Sequence, residues 1–286
     1  LRTVVGVRPR HGIYTHVVGS DLLRDSDGSF LVLEDNCRCP SGVSYVLENR
    51  NLTARVFPEL MVGQAIRGVE SYPGLLLESL RYAAPHGRQD PVVAVLTPGI
   101  FNSAYYEHSF LANEMGAPLV EGRDLVVEDD QVFMRTTEGR QRVDVIYRRV
   151  DDEYIDPVAF DHGSMLGVPG LMHAYRTGNV ALANAPGAGI ADNKAVYPCI
   201  PDLIRFFLDA EPLIKQVTTW RGWIPDDAKY IREHMSDMVV KLAGGAGGYG
   251  MLVGPTSSKA EIAEFRTCFD EDPSQYIAQH LVEFSS

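Results

Sequence analysis

The 286-residue sequence carries 38 acidic and 26 basic side chains, a formal net charge of −12, and is 45% hydrophobic. That balance describes a globular chain with ample core and argues against a general nucleic-acid or anionic-membrane binder. No apolar run approaches the ~20 residues that cross a bilayer. No signal-peptide pattern opens the chain. Four scattered cysteines, Cys37, Cys39, Cys199 and Cys268, are too few for a disulfide framework or zinc cluster, which makes the cytosol the expected compartment.

The opening "LRTVVGVRP" reads as strand. "HGIYTHVVGSDLLRDSDGSFLVLEDN" reads as strand, turn and strand, because Asp27-Gly28 between apolar runs is a strong hairpin signal. "SGVSYVLENRNLTARVFP" predicts a helix with Pro58 past its end. Further helix is expected after residue 63, followed by "PVVAVLTPG" as a buried strand. "NSAYYEHSFLANEMG" is a helix with Asn102 or Ser103 as N-cap and Gly116 as C-cap. "APLVEG" completes a βαβ unit. "DLVVEDDQVFMRT" predicts a hairpin, and "RVDVIYRRVDD" one strand running into charge. "KAVYPCIPDLIRFFL" reads as a helix interrupted by prolines. "DMVVKLAG" and "GMLVG" are strands joined by a glycine-rich turn. "SSKAEIAEFRTCF" is a helix with a Ser258/Glu261 capping box, and "YIAQHLVEF" closes as a strand. These elements divide into 1–62, 63–190 and 191–286. Neither end has the look of a natural terminus, and a fragment of a longer chain is expected.

Two stretches carry chemistry. In "VLEDNCRCPSG" (32–42), the period of two would put Glu34, Asn36 and Arg38 on one face and Asp35 on the other. Across the hairpin, Asp21 can join Glu34 and Asn36. Two carboxylates and an amide oxygen suit Mg²⁺, which takes hard oxygen ligands and completes its shell with phosphates; solvated surface acids fit the same residues. In "VVKLAGGAGGYGMLVG" (239–254), Gly245, Gly247 and Gly250 match G-x-G-x-x-G. A strand follows those glycines where a dinucleotide-binding turn requires a helix. The pattern is therefore a hairpin flap whose backbone N–H groups, Gly248 included, can close on phosphate beside Lys241. A glycine-rich surface hairpin is the plain alternative.

Together these stretches resemble the ATP-grasp superfamily. "ADNKAVYPCI" is similar to the segment that carries its other nucleotide lysine, here Lys194, and "YIAQHLVEF", with Gln279, is similar to its adenine-binding connector. The metal half precedes the lysines, so the chain is identified as a circularly permuted ATP-grasp protein of type 2. That type is distantly similar to the synthetase part of glutathionylspermidine synthase. The resemblance covers essentially the whole chain.

It implies an α/β fold, with metal ligands in 1–62, an inserted Rossmann-like pre-ATP-grasp lobe in 63–190, and nucleotide binding in 191–286. It implies ATP and Mg²⁺ as cofactors. Asp21, Glu34 and Asn36 would hold the metal, Lys194 and Lys241 the phosphates, and Gly245, Gly247, Gly248, Gly250 and Gln279 the nucleotide. The implied reaction is carboxylate–amine (or thiol) ligation through an acyl phosphate, forming an amide, with a small-molecule or peptide carboxylate and an amine acceptor as partners. Arg38 would stabilise the acyl phosphate, or else pair with Glu34. Arg148 and Arg149 either line a substrate cleft or form an ion-pair network. His11 and His16 read as packed or solvated histidines. A homo-oligomer is compatible with the sequence. The alternative is a non-catalytic ATP-binding protein with a scaffold or sensing role.

Overall fold

The computed structural model describes residues 2–63, 65–245 and 250–282. They form two compact units. One comprises Leu1–Val18 and Cys37–Gly189, the other Gly19–Asn36 and Ile190–Ser286. The stretch 1–62, read as one part from the sequence, is thus shared between them. Among the described residues no helix is long and apolar enough to cross a membrane.

The chain does not open on a strand. Arg2–Val4 is a 3-10 turn, and Gly6 follows with φ 82°, a value that ends extended structure. The first strands are β1 (Gly19–Arg24) and β2 (Phe30–Asn36), an antiparallel hairpin. Its turn is closed by Gly28, whose N–H donates to the Asp25 carbonyl at 2.9 Å.

The first unit then builds an α/β sandwich. Helix α1 (Val43–Val56) has no cap of its own. The Glu107 carboxylate accepts from the backbone N–H groups of Gly42 (2.7 Å) and Ser44 (3.0 Å) and from the Ser44 hydroxyl (2.9 Å), which satisfies the orphan donors of that first turn. Pro58 opens a four-residue helix, α2 (Pro58–Met61), where proline's missing N–H costs nothing. Next come α3 (Tyr72–Tyr82), β3 (Val93–Leu96), α4 (Tyr105–Met115) and β4 (Leu119–Val120). Ala104 is the α4 N-cap residue, and Gly116 ends the helix in the left-handed region.

The expected hairpin is three-stranded: β5 (Leu125–Glu128), β6 (Gln131–Thr136) and β7 (Gly139–Val143). The single strand expected through "RVDVIYRRVDD" breaks at Asp144, and β8 (Val145–Arg148) begins after it. Asp144 is buried and takes Arg88 at 2.7 Å, Arg142 at 3.2 Å and the Val92 N–H at 2.9 Å. After α5 (Leu171–Arg176), β9 (Ala181–Ala183) completes a parallel sheet of order β4-β3-β8-β9. Val93 and Val95 pack under α3 and α4 with Leu80 and Leu111. Ala94 and Leu96 face the opposite layer with Leu171, Met172 and Val132. Such burial on both faces explains why β3 reads as an unbroken apolar run.

The second unit receives the hairpin and the remaining chain. The prolines of "KAVYPCIPDLIRFFL" fall in a 3-10 turn at Tyr197–Cys199 and in the first turn of α6 (Ile200–Leu208), so the helix is shortened rather than kinked. Strand β10 (Lys215–Gln216) lies parallel to β2. A four-stranded antiparallel sheet has order β11-β14-β12-β13, with β11 (Thr219–Arg221), β12 (Met238–Leu242), β13 (Met251–Val253) and β14 (Tyr276–His280). Helices α7 (Pro225–His234) and α8 (Lys259–Glu271) cover it over Ile231, Met235, Val240, Phe269 and Ala278. Both halves of the Ser258/Glu261 capping box are formed.

Candidate functional site

The acidic hairpin sets the geometry. Antiparallel register puts Asp21 directly opposite Glu34 and Gly19 opposite Asn36. Opposite residues share a face, and Asn36, two positions beyond Glu34, lies on that same face. The register slips between Asp21 and Leu22, leaving Leu33 without a partner across the pair. A bulge of this kind re-aims side chains next to functional sites. Gly19 presents no side chain to Asn36, whose amide donates to the Gly19 carbonyl at 3.4 Å. Asp35 takes the other face and accepts from the Ser20 hydroxyl at 2.5 Å.

Two like charges on one face need a counter-charge. Burial, then Glu34 and Asp35, push the Asp21 carboxyl above its ordinary range, and Lys194 partly offsets the shift. The Lys194 ammonium is 3.3 Å from the Glu34 carboxylate and donates to the Gly245 carbonyl at 2.9 Å. Its own backbone N–H donates to Ala243 at 2.9 Å. One lysine therefore ties the acidic hairpin to the start of the glycine segment.

Lys241 on β12 donates to the Gln279 side-chain oxygen at 2.9 Å. Gln279 is buried and passes its own amide hydrogen to the Thr219 hydroxyl at 3.0 Å. Burial lowers the Lys241 pKa, Glu34 raises it again, and Lys194 adds to the lowering. The side chain of Gln279 is thus spent on Lys241. Thr219, which anchors this chain of bonds, was invisible in the sequence: a hydroxyl in "VTTW" carries no periodic or motif signal.

Of the flap glycines, Gly247 and Gly248 lie outside the described residues. Gly245 closes a turn onto the Leu242 carbonyl at 3.2 Å. Gly250 has φ +67°, a backbone conformation that strains residues with a side chain, and a Cβ there would also displace the Leu242 side chain.

Arg38 departs from the expected alternation. Strand β2 ends at Asn36, and the period of two does not extend past it. Arg38 belongs to the first unit. Its guanidinium lies 4.0 Å from Asp151 and packs so tightly on Gly189 that a Cβ there would be 2.4 Å from its Nε. Glu34 pairs with Lys194. Arg148 and Arg149 are both buried and form a network. Arg148 meets Asp152 at 2.7 Å and donates to the carbonyls of Asn184 (2.7 Å) and Val150 (2.9 Å). Arg149 reaches Glu107 at 3.5 Å and the Tyr147 hydroxyl at 3.0 Å. His11 stacks on Tyr82, with ring centroids 4.2 Å apart.

Among the described residues no cluster of three or more His, Cys, Asp or Glu side chains could cage a metal alone. The hairpin's two carboxylates and one amide fit a cation that draws its other ligands from phosphate, as Mg²⁺ does. A cation there would relieve the repulsion that raises Asp21.

A family model described as a circularly permuted ATPgrasp matches residues 1–279. An uncharacterized protein of Synechocystis sp. is 52% identical over 285 residues, covering 100% of this chain and 59% of that protein. A Frankia alni protein named "Putative glutamate--cysteine ligase 2-3" is 40% identical over 278 residues, covering 97% of this chain and 32% of its own length. A glutathione synthetase-like effector from Globodera pallida, solved in apo form, superposes with TM-score 0.62 at 14% identity, over 99% of this chain and 64% of that one. At that identity the likeness speaks for the fold alone. The chain spans about half the length of the first curated relatives it matches.

Proposed function

The chain belongs to the circularly permuted ATP-grasp family, and from that premise we propose that it is the nucleotide-binding part of an ATP- and Mg²⁺-dependent carboxylate–amine ligase. The observation that carries the reading is the Lys194 ammonium, held between Glu34 and the Gly245 carbonyl. Residues far apart in sequence meet there as a carboxylate face, a cation and a glycine segment, which is what a triphosphate with its metal requires. The relatives named as glutamate–cysteine ligases support the same reaction class.

Asp21, Glu34 and Asn36 would hold Mg²⁺, which supplies charge neutralisation for the phosphates. Lys194 would exchange its protein partners for phosphate oxygens. Lys241, aimed by Gln279 and Thr219, would supply the second positive charge. The glycine segment, with Gly247 and Gly248, would approach the phosphates closely because no side chains intervene. Phosphoryl transfer depends chiefly on such positioning and charge neutralisation.

In the reaction, a substrate carboxylate oxygen attacks the γ-phosphorus and ADP leaves. The amine nitrogen then adds to the acyl carbon, phosphate departs with its oxygen, and the nitrogen gives up a proton. Arg38 would stabilise the acyl phosphate in this scheme. A cytoplasmic setting fits an ATP-using enzyme whose four cysteines are free thiols.

The test is calorimetry of ATP binding with Mg²⁺ and with EDTA. Glu34→Gln removes one charge without changing shape, so the affinity falls mainly in Mg²⁺. An equal loss in EDTA refutes Glu34 as a metal ligand. ADP release by the protein extended to its relatives' length, against a panel of carboxylates and amines, tests the ligase.

A further inference from the structure

The first unit holds a cavity that the nucleotide chemistry does not use. Arg8, Arg10, His16, Tyr175, Ala181 and Leu182 contribute to its wall. It opens at the amino-terminal edge of β9, whereas ligands of open α/β sheets sit beyond the carboxyl ends of the strands.

Three features give the cavity a sign. Its lining contains two arginines and a histidine and no Asp or Glu, in a chain whose acids outnumber its bases by 38 to 26. Arg8 is exposed, and no described carboxylate lies within ion-pair distance of Arg8 or Arg10. The third feature is the orientation of Arg10. Its Nη1 donates to the Ala84 carbonyl just past the end of α3, which fixes the guanidinium. The Nε is buried with no hydrogen-bond partner. With Nη1 bonded to Ala84 and Nε closed off by the surrounding chain, Nη2 is the donor left to a carboxylate or phosphate oxygen, and a charge-assisted bond there is among the stronger ones.

We propose that this cavity is a binding site for a small oxyanion, a carboxylate- or phosphate-bearing molecule. Arg10 supplies a charge-assisted donor, Arg8 a second positive charge, and the His16 ring a further polar contact. The wall of Ala181, Leu182 and Tyr175 limits the occupant to a compact molecule with an apolar side.

The experiment is a titration of the 286-residue chain with sodium phosphate and, separately, sodium succinate, with chloride holding the ionic strength constant. Binding is read from the His16 ring resonances, His16 being part of the cavity wall. A saturable His16 shift with either anion is expected, and the anion that produces it identifies the ligand's head group. Arg8→Glu and Arg10→Lys each weaken it by about tenfold or more, the loss of one charge-assisted contact. Arg10→Lys keeps a donor for Ala84 and removes the second donor, Nη2. Arg8 is exposed and makes no hydrogen bond or ion pair among the described residues, so Arg8→Glu leaves the melting temperature unchanged and remains decisive if Arg10→Lys lowers it. No saturable His16 shift with either anion, or wild-type titration by Arg8→Glu, overturns the proposal.

Discussion

Asp21→Asn separates a residue held for a ligand from one held for the fold. Asp21 stands opposite Glu34 with Asp35 close by, and Lys194 supplies only partial compensation. Like charges facing each other across a strand pair cost about 0.2–1 kcal/mol. Coulomb's law at ~5 Å in water gives about 0.8 kcal/mol. Asp21 is exposed, so the low end applies. A gain of roughly 0.5 kcal/mol is expected from Asp21→Asn in the absence of nucleotide and Mg²⁺. The raised carboxyl pKa fixes the sign of the pH dependence. The folded state binds this proton more tightly than the unfolded chain, so the group's stabilising contribution is complete below the ordinary carboxylate pKa. That contribution is lost as pH rises through the raised folded value. The variant's advantage therefore appears above that value and vanishes in acid. Urea titrations over a pH series measure it, and calorimetry with Mg²⁺ and ATP measures the accompanying loss of binding. A variant less stable than wild type at neutral pH would refute the reasoning, because Asp21 would then be serving the fold.

The other expectations can be checked with similar tools. Lys241→Ala should retain its fold and lose ATP affinity by about tenfold or more, the scale of one charge-assisted contact; calorimetry showing equal affinity would remove Lys241 from the site. Glu107→Ala strands the buried Arg149 guanidinium and uncaps α1, at a cost of about 3–5 kcal/mol in urea unfolding of the first unit. Burial and Arg149 hold the His108 pKa down at about 4. Stability should thus fall as pH drops from the ordinary histidine value of 6.5 toward that depressed one, by up to about 1.4 kcal/mol per pH unit, and His108→Gln should flatten the slope. Gly222→Ala would set a Cβ 1.8 Å from the Pro273 carbonyl, and a loss of about 1–3 kcal/mol is expected in urea unfolding of the second unit.

The sequence made the hairpin of β1 and β2 legible because turn chemistry and alternation agree there, whereas the slip between Asp21 and Leu22 that brings Asp21 opposite Glu34 carried no sequence signal. Strand β3 and helix α4 were legible because an unbroken apolar run and a glycine stop signal are local features. What stayed hidden was set by contacts distant in sequence. Lys194 lies in irregular, turn-rich chain without a period, so its meeting with Glu34 follows only from the fold. Strands β10 and β11, two and three residues long, are too short for any pattern, and with them went Thr219. The alternation expected to reach Arg38 fails for a different reason: alternation is a property of a strand, and β2 stops two residues earlier. The first residues, "LRTVVGVRP", have strand composition. Gly6 nonetheless takes a positive φ and Pro9 has no N–H to give a ladder, and the chain there turns in short 3-10 segments.

The two units also treat charge in opposite ways, which bears on where function lies. In the first, Asp144 takes two arginines and a backbone N–H, Asp156 accepts from the N–H groups of Val158, Gly170 and Met172, and Arg148 is saturated by carbonyls and Asp152. Each of these charges is matched, as burial requires if the fold is to survive. In the second unit, Asp21 and Glu34 oppose each other and Lys241 is half-buried beside a neutral amide. Such mismatches lower stability and gain nothing within the chain itself. They are compensated when a ligand brings charges of both signs, and a metal-bound polyphosphate does so: its cation answers the carboxylates and its oxygens answer the lysines. The same reasoning separates the arginines of the first unit. Arg148 and Arg149 pair with the buried carboxylates of Asp152 and Glu107 and serve the fold, while Arg8 and Arg10 line a cavity without Asp or Glu, which marks it as a place in that unit where an anion would be gained.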